Sequence, residues 1–87
     1  MTHHTTKNFW KCFKSLPLSA QLLAEKNFKL LKTNPFHPSL QLKKIDTVWS
    51  ARVGLGFRTL AIEEEEGTLH WFWIGTHDEY ERLLANM

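Results

Sequence analysis

Apolar positions change their spacing once along this chain, from helical before Asn34 to strand-like after Ser39. Phe9, Trp10, Phe13 and Leu16 fall on one side of a helix that Thr5 or Thr6 can cap, because a threonine oxygen accepts from the free amides of a first turn. Pro17 ends that helix, and Pro17 and Ser19 open a second one. There Ala20, Leu23, Ala24, Phe28 and Leu31 recur at helical spacing while Gln21, Glu25, Lys29 and Lys32 face away. Asn34-Pro35 stops it, since proline disfavours helical backbone in the residue before it. Two helices with one apolar side each need a common surface to pack on, and the rest of the chain must supply it.

Asn34 to Ser39 reads as an ordered extended loop fixed by Pro35 and Pro38. Leu40 to Ile45, Val48 to Val53, Phe57 to Glu64 and Thr68 to Thr76 then read as strands, parted by turn signals at Asp46-Thr47, Gly54-Leu55-Gly56 and Glu66-Gly67. Connections this short make these strands antiparallel. Leu69 to Ile74 is apolar apart from His70, which places that strand centrally, and Trp71 and Trp73, two apart, are expected on one side of it. Met1 to Thr5 adds an edge strand, and Tyr80, Leu83 and Leu84 give a short C-terminal helix one apolar side. The expected fold is α+β: an N-terminal helical hairpin on a small, twisted, mainly antiparallel sheet, closed by a short helix, in one domain over residues 1–87.

Composition narrows the class. A chain of 87 residues, 43% hydrophobic and 13% aromatic, has room for one compact core and is too apolar for a disordered tail. The formal charge of +2 is mild, so its distribution matters more than its size. Lysines and arginines dominate up to Arg58, and carboxylates cluster at Glu63 to Glu66 and at Asp78, Glu79 and Glu81, which points to a basic face and an acidic rim. The single cysteine, Cys12, forms no internal disulfide and fits a reducing compartment. No apolar run approaches the roughly 20 residues of a membrane span, and Met1 to Thr6 lacks the features of a signal peptide, so the expectation is a soluble cytoplasmic protein with no membrane partner.

Candidate chemistry gathers near the ends of the strands. A three-residue loop of Gly54, Leu55 and Gly56 would pair Val53 with Phe57 and set Arg52 opposite Arg58, two cations that repel unless an anion lies between them. A two-residue loop would pair Arg52 with Thr59; apolar matching favours it, because one face becomes more uniformly hydrophobic, yet both registers stay open. His77 stands where a strand ends and a helix begins, a place for proton transfer or for a helix cap. Thr76 and Asp78 read as cap residues, and Tyr80 as a core residue with a wet hydroxyl. Lys43 and Lys44 point to opposite faces of one strand, so only one looks into any cleft. His3, His4, His37, His70 and His77 lack the helical or cysteine-paired spacing of a metal site, and Glu63 to Glu66 read as a solvated hairpin tip.

The order of these pieces carries a resemblance. A helical hairpin with Leu16-Pro17 between its helices and Asn34-Pro35 at its end, then Arg52-Val53-Gly54, then Phe57-Arg58, then Ile74-Gly75-Thr76-His77, resembles the RelE/ParE toxin superfamily over most of the chain. The resemblance implies a type II toxin–antitoxin toxin held inactive by a cognate antitoxin protein. It implies ribosome-associated mRNA cleavage by attack of a 2′-hydroxyl on the neighbouring phosphate, with no metal or cofactor. By position Arg52, Arg58, His77 and Tyr80 match the catalytic set, with Tyr80 orienting or stacking on a base, and Lys43, Lys44 and Arg82 become RNA contacts. Ser50 stands where ribonuclease members often carry a second basic residue. Two alternatives stay open, a ParE-like inhibitor of DNA gyrase and a non-catalytic binding member of the superfamily.

Overall fold

The structure, a computed structural model, describes residues 1–86; the expected domain runs to Met87, which lies outside the described residues. In chain order the elements are β1 (Thr2–Thr5), α1 (Lys7–Lys14), α2 (Leu18–Thr33), a 3-10 turn (Pro38–Leu40), β2 (Lys43–Ile45), β3 (Val48–Val53), β4 (Phe57–Glu65), β5 (Thr68–Thr76) and α3 (His77–Ala85). The strands form one five-stranded sheet in the order β1-β5-β4-β3-β2. β2 to β5 pair antiparallel, as their short connections require, whereas β1 runs parallel to β5 because two helices intervene before the sheet is rejoined. The class is α+β, with β5 inside the sheet as its apolar run demands.

Local chemistry sets the boundaries. Thr6 caps α1, its Oγ1 accepting from Phe9 N at 3.2 Å. Pro17 precedes the first residue of α2, and Asn34 follows its last. Gln21 does not face away: its amide donates to the carbonyls of Phe13 and Leu16 at 3.2 and 3.1 Å and ties the two helices together by satisfying the open end of α1. Leu40 is not a strand residue either. It closes the 3-10 turn and plugs the core, with Gln41 behind it at φ 43, so β2 begins only at Lys43.

Both faces of the sheet are covered. On one, α1, α2 and Leu40 bury Ala51, Val53, Ala61, Leu69, Trp71 and Ile74. On the other, α3 lays Tyr80 and Leu84 over Val48, Leu60, Phe72 and Trp73. Leu60 opposes Trp73 and Ala61 opposes Trp71, so Phe72 is an extra residue in β5. This bulge overturns the expectation that Trp71 and Trp73 share a side: the inserted residue shifts the alternation, Trp71 turns to the helical hairpin and Trp73 to α3.

The β3–β4 register also departs from the one that apolar matching favours. Val53 pairs with Phe57 and Arg52 with Arg58 across the loop of Gly54, Leu55 and Gly56. Matching failed because it assumed a single buried face. Val53 and Phe57 pack together against Ala24 and Ile74 under α2, while the opposite face needs Ser50 and Leu60 beneath α3. Gly54, at φ +66, lies against the Leu23 side chain of α2, where a Cβ would collide.

Candidate functional site

Cross-strand pairing brings Arg52 and Arg58 onto the α3 side of the sheet, at its β3–β4 end. Arg52 Nε is buried and has no hydrogen-bond partner among the described residues. Arg58 folds back over the loop, its Nη1 donating to the carbonyls of Phe57, Gly54 and Leu55 at 2.7, 3.2 and 3.3 Å. Burial, then the neighbouring Arg52, lowers the Arg58 pKa, while Tyr80 and Glu81 pull it back up. Two guanidiniums side by side with an orphaned N–H form a place where an anion would relieve both repulsion and desolvation. These loop contacts give Arg58 a structural role as well, so its removal has a structural cost.

His77 joins this end of the sheet from β5. Its backbone N–H donates to Gly56 O at 2.9 Å, which pins the start of α3 to the loop that Arg58 also holds. Thr76 is the cap, with Glu79 reciprocating in a capping box; Asp78, the other expected cap, lies inside the first turn. The backbone and side-chain hydrogen bonds from Thr76 lower the pKa of Glu79, so this cap is charge-assisted. The half-exposed His77 ring lies with Nε2 3.1 Å from Glu81 Oε1, one helical turn on. Glu81 was not singled out from the sequence. The i,i+4 spacing from His77 is the signal that could have found it.

Tyr80 is 5% exposed, packed among Val48, Leu60 and Leu84, and its hydroxyl accepts from Ser50 Oγ at 3.0 Å. Its ring is therefore covered, and the expectation that it stacks on a base is corrected by burial. Ser50, only 2% exposed, is likewise no vacancy in a phosphate surface: it is the polar partner that lets a tyrosine hydroxyl enter the core.

The three expected RNA contacts separate. Lys43 opposes Ser50 and so lies on the Arg52 side of the sheet, at the exposed edge strand β2. Lys44 turns to the other face, where its Nζ lies 3.3 Å from Glu63 Oε1 and over the Trp49 ring. Arg82 sits on the flank of α3 beside Trp73, Glu79 and Leu83, with Nε 3.4 Å from Asp78 O, away from the flank that carries His77 and Glu81. Arg52, Arg58 and His77 thus share one end of one face, with Lys43 at its margin; Lys44 and Arg82 do not join them.

Glu63 departs from the expected hairpin tip. It accepts from Gly67 N at 2.8 Å and Trp49 Nε1 at 2.9 Å and pairs with Lys44, and these hydrogen bonds lower its pKa from 4.5 to about 2. The signal was present in the sequence: Ala61 and Glu63, two apart, share a side of β4.

No protein-family model and no curated protein matches the chain. Solved structures do. The RelB–RelE antitoxin–toxin complex from Methanococcus jannaschii contains a chain that superposes with a TM-score of 0.69 at 17% identity, over 92% of this chain and 96% of that one. The YoeB/ParE toxin from Agrobacterium tumefaciens gives 0.65 at 14% identity, over 88% and 99%. The isolated RelE toxin of E. coli gives 0.61 at 11% identity, over 99% and 98%. Identities this low speak to architecture alone, and in architecture the chain has the RelE/ParE toxin fold.

Proposed function

We propose that this chain is a member of the RelE/ParE superfamily and the toxin of a type II toxin–antitoxin pair, acting as a ribosome-associated mRNA endoribonuclease. The observation that carries this reading is the Arg52–Arg58 pair beside His77, with Arg52 Nε buried and unpartnered. An RNA phosphate supplies the acceptor this nitrogen lacks, and its charge is the one two adjacent guanidiniums stabilise as it grows in the transition state. Glu81 accepts from His77 Nε2, which leaves Nδ1 to take the proton from the attacking 2′-hydroxyl. The 2′-oxygen bonds to phosphorus, the bond from phosphorus to the 5′-oxygen breaks, and that oxygen leaves with a proton from water. Tyr80 acts indirectly, by fixing α3 on Ser50 and so placing His77. Lys43 receives the flanking backbone. The RelB–RelE complex from Methanococcus jannaschii, in which a chain of this fold is bound to an antitoxin, supports a cognate antitoxin as partner.

A second reading, inhibition of DNA gyrase by protein contact, is favoured by one feature: with Tyr80 buried, no aromatic ring of the expected catalytic set is free to hold a base. Induced expression followed by mapping of mRNA ends and DNA topology separates the two. Codon-phased cuts that vanish in Arg52→Ala and Arg58→Lys, both checked for folding by circular dichroism, are expected. Cuts that persist in both variants would remove the site assignment, and gyrase-linked DNA damage without cuts would replace the reading.

A further inference from the structure

The five histidines divide into two groups. His3 accepts from Trp71 Nε1, His37 accepts from Ser39 N, and His77 faces Glu81, so each of these rings has a partner. His4 and His70 have chiefly each other. They stand directly opposite across the parallel β1–β5 pair, and their rings stack with centroids 5.2 Å apart and planes 21° from parallel. Both point away from the helical hairpin, because Leu69 and Trp71, the neighbours of His70, are buried beneath it. On that face α3 covers Phe72 and Trp73, and the imidazole pair lies beyond them, with His4 exposed and the His70 side chain 30% exposed. Glu64, on the adjoining strand β4, brings Oε2 to 3.9 Å from His70 Nε2, too long for a hydrogen bond. Two imidazoles and a carboxylate thus share one solvent-facing patch of sheet.

We propose that His4 and His70 are the two nitrogen ligands of a site for a divalent transition-metal ion of the Zn²⁺ or Cu²⁺ class, with Glu64 as an oxygen ligand and water in the remaining positions. Imidazole nitrogen suits these ions, whereas Mg²⁺ and Ca²⁺ take oxygen ligands. Two nitrogens bound at about 2.0–2.1 Å to one tetrahedral ion lie about 3.3 Å apart. The stacked rings reach that separation by turning about their Cβ–Cγ bonds, a torsion with broad minima, so the strands need not move. Among the described residues no three ligating side chains are already gathered, so the carboxylate arrives with the ion; the Glu64 side chain, 67% exposed, is free to swing. Metal-site spacing is absent from the sequence because the two histidines meet only through the β1–β5 register. The bound ion joins β1, an edge strand that the sheet holds through β5 alone, to the strand beside it. A ligand that binds the folded chain in preference to the unfolded one stabilises it, so the ion acts as a clip on β1. It lies at the opposite end of β5 from His77, and no step at the Arg52–Arg58 pair passes through it.

The test is titration of the chelator-treated full chain with zinc chloride, followed by NMR of the imidazole protons, by calorimetry for the affinity and by tryptophan fluorescence for the melting midpoint, with magnesium chloride as control. In the parent protein the His4 and His70 resonances should shift together while those of His37 and His77 stay in place, a readout that needs no variant. The melting midpoint should rise with zinc and not with magnesium. His4→Ala and His70→Ala, checked for folding by circular dichroism, should each lose roughly tenfold or more in affinity, since even outer-shell partners of a metal site carry about 10–100-fold. Glu64→Gln should lose less, and His3→Gln and His77→Ala should bind zinc as the parent does. His4 and His70 resonances that stay in place as zinc is added would overturn the proposal and leave a stacked pair only. Affinity lost in His3→Gln, or in His77→Ala, with His4→Ala and His70→Ala unaffected, would overturn it as well, by moving the ion to another histidine.

Discussion

A buried polar atom is stable only with a partner, and this chain spends several of its polar residues on that requirement. Trp71 Nε1 donates to His3 Nδ1 at 3.1 Å, and the His3 ring packs against Trp71 and Phe28. A protonated imidazole has no lone pair to accept this bond. Burial first, then the positive charges of the amino terminus, His4 and Lys32, lower the His3 pKa below 6.5. The unfolded chain then binds this proton more readily than the folded one, so stability is full above pH 6.5 and falls as pH drops below it toward the folded value. Urea midpoints followed by tryptophan fluorescence should decline across that window, and His3→Gln should flatten the decline. Glu63 acts lower on the scale: its contribution is present above pH 4.5 and is lost as pH falls toward about 2. Glu63→Gln should remove that part of the acid transition, measured by circular dichroism from pH 5 to 2.

Among the elements, β5 carries the most constraint. Its bulge at Phe72 divides the tryptophans between two cores, and Gly75 gives the Trp73 ring room to lie on the strand backbone, where a Cβ would run into Cζ2. Gly75→Ala should therefore destabilise by about 1–3 kcal/mol through overpacking, read from urea denaturation. Trp71→Ala, at 2% exposure, should cost about 3–5 kcal/mol. Tyr80→Phe should cost less, about 1–3 kcal/mol, by leaving the Ser50 hydroxyl unpaired in the core. A double-mutant cycle with Ser50→Ala should recover most of that loss, and two independent costs would show that the pair does not hold α3 in place.

For the whole molecule, the helices and strands were legible from the sequence because each leaves a periodic trace: helical spacing from Phe9 to Leu31, then short apolar runs bounded by Gly54, Gly56 and Gly67. Caps were legible as well, since Thr6 and Thr76 satisfy amides within their own first turns. The candidate site was legible in part. Arg52, Arg58 and His77 stand at strand ends that short connections bring together, whereas Lys44 and Arg82 look like equal candidates in sequence and lie elsewhere in space.

What the sequence determined by itself is therefore everything that depends on neighbours within about a turn: the element types, their ends, the antiparallel pairing of β2 to β5 and the burial of one side of each helix. Only the tertiary structure decided the rest. The β3–β4 register was set by two helical layers competing for the two faces of one sheet. The bulge at Phe72 was set by the need to divide Trp71 and Trp73 between them. Tyr80 became a covered residue because α3 folds back onto Ser50, thirty positions earlier in the chain. These outcomes balance packing between segments far apart in sequence, and no local pattern records a contact whose partner is thirty residues away.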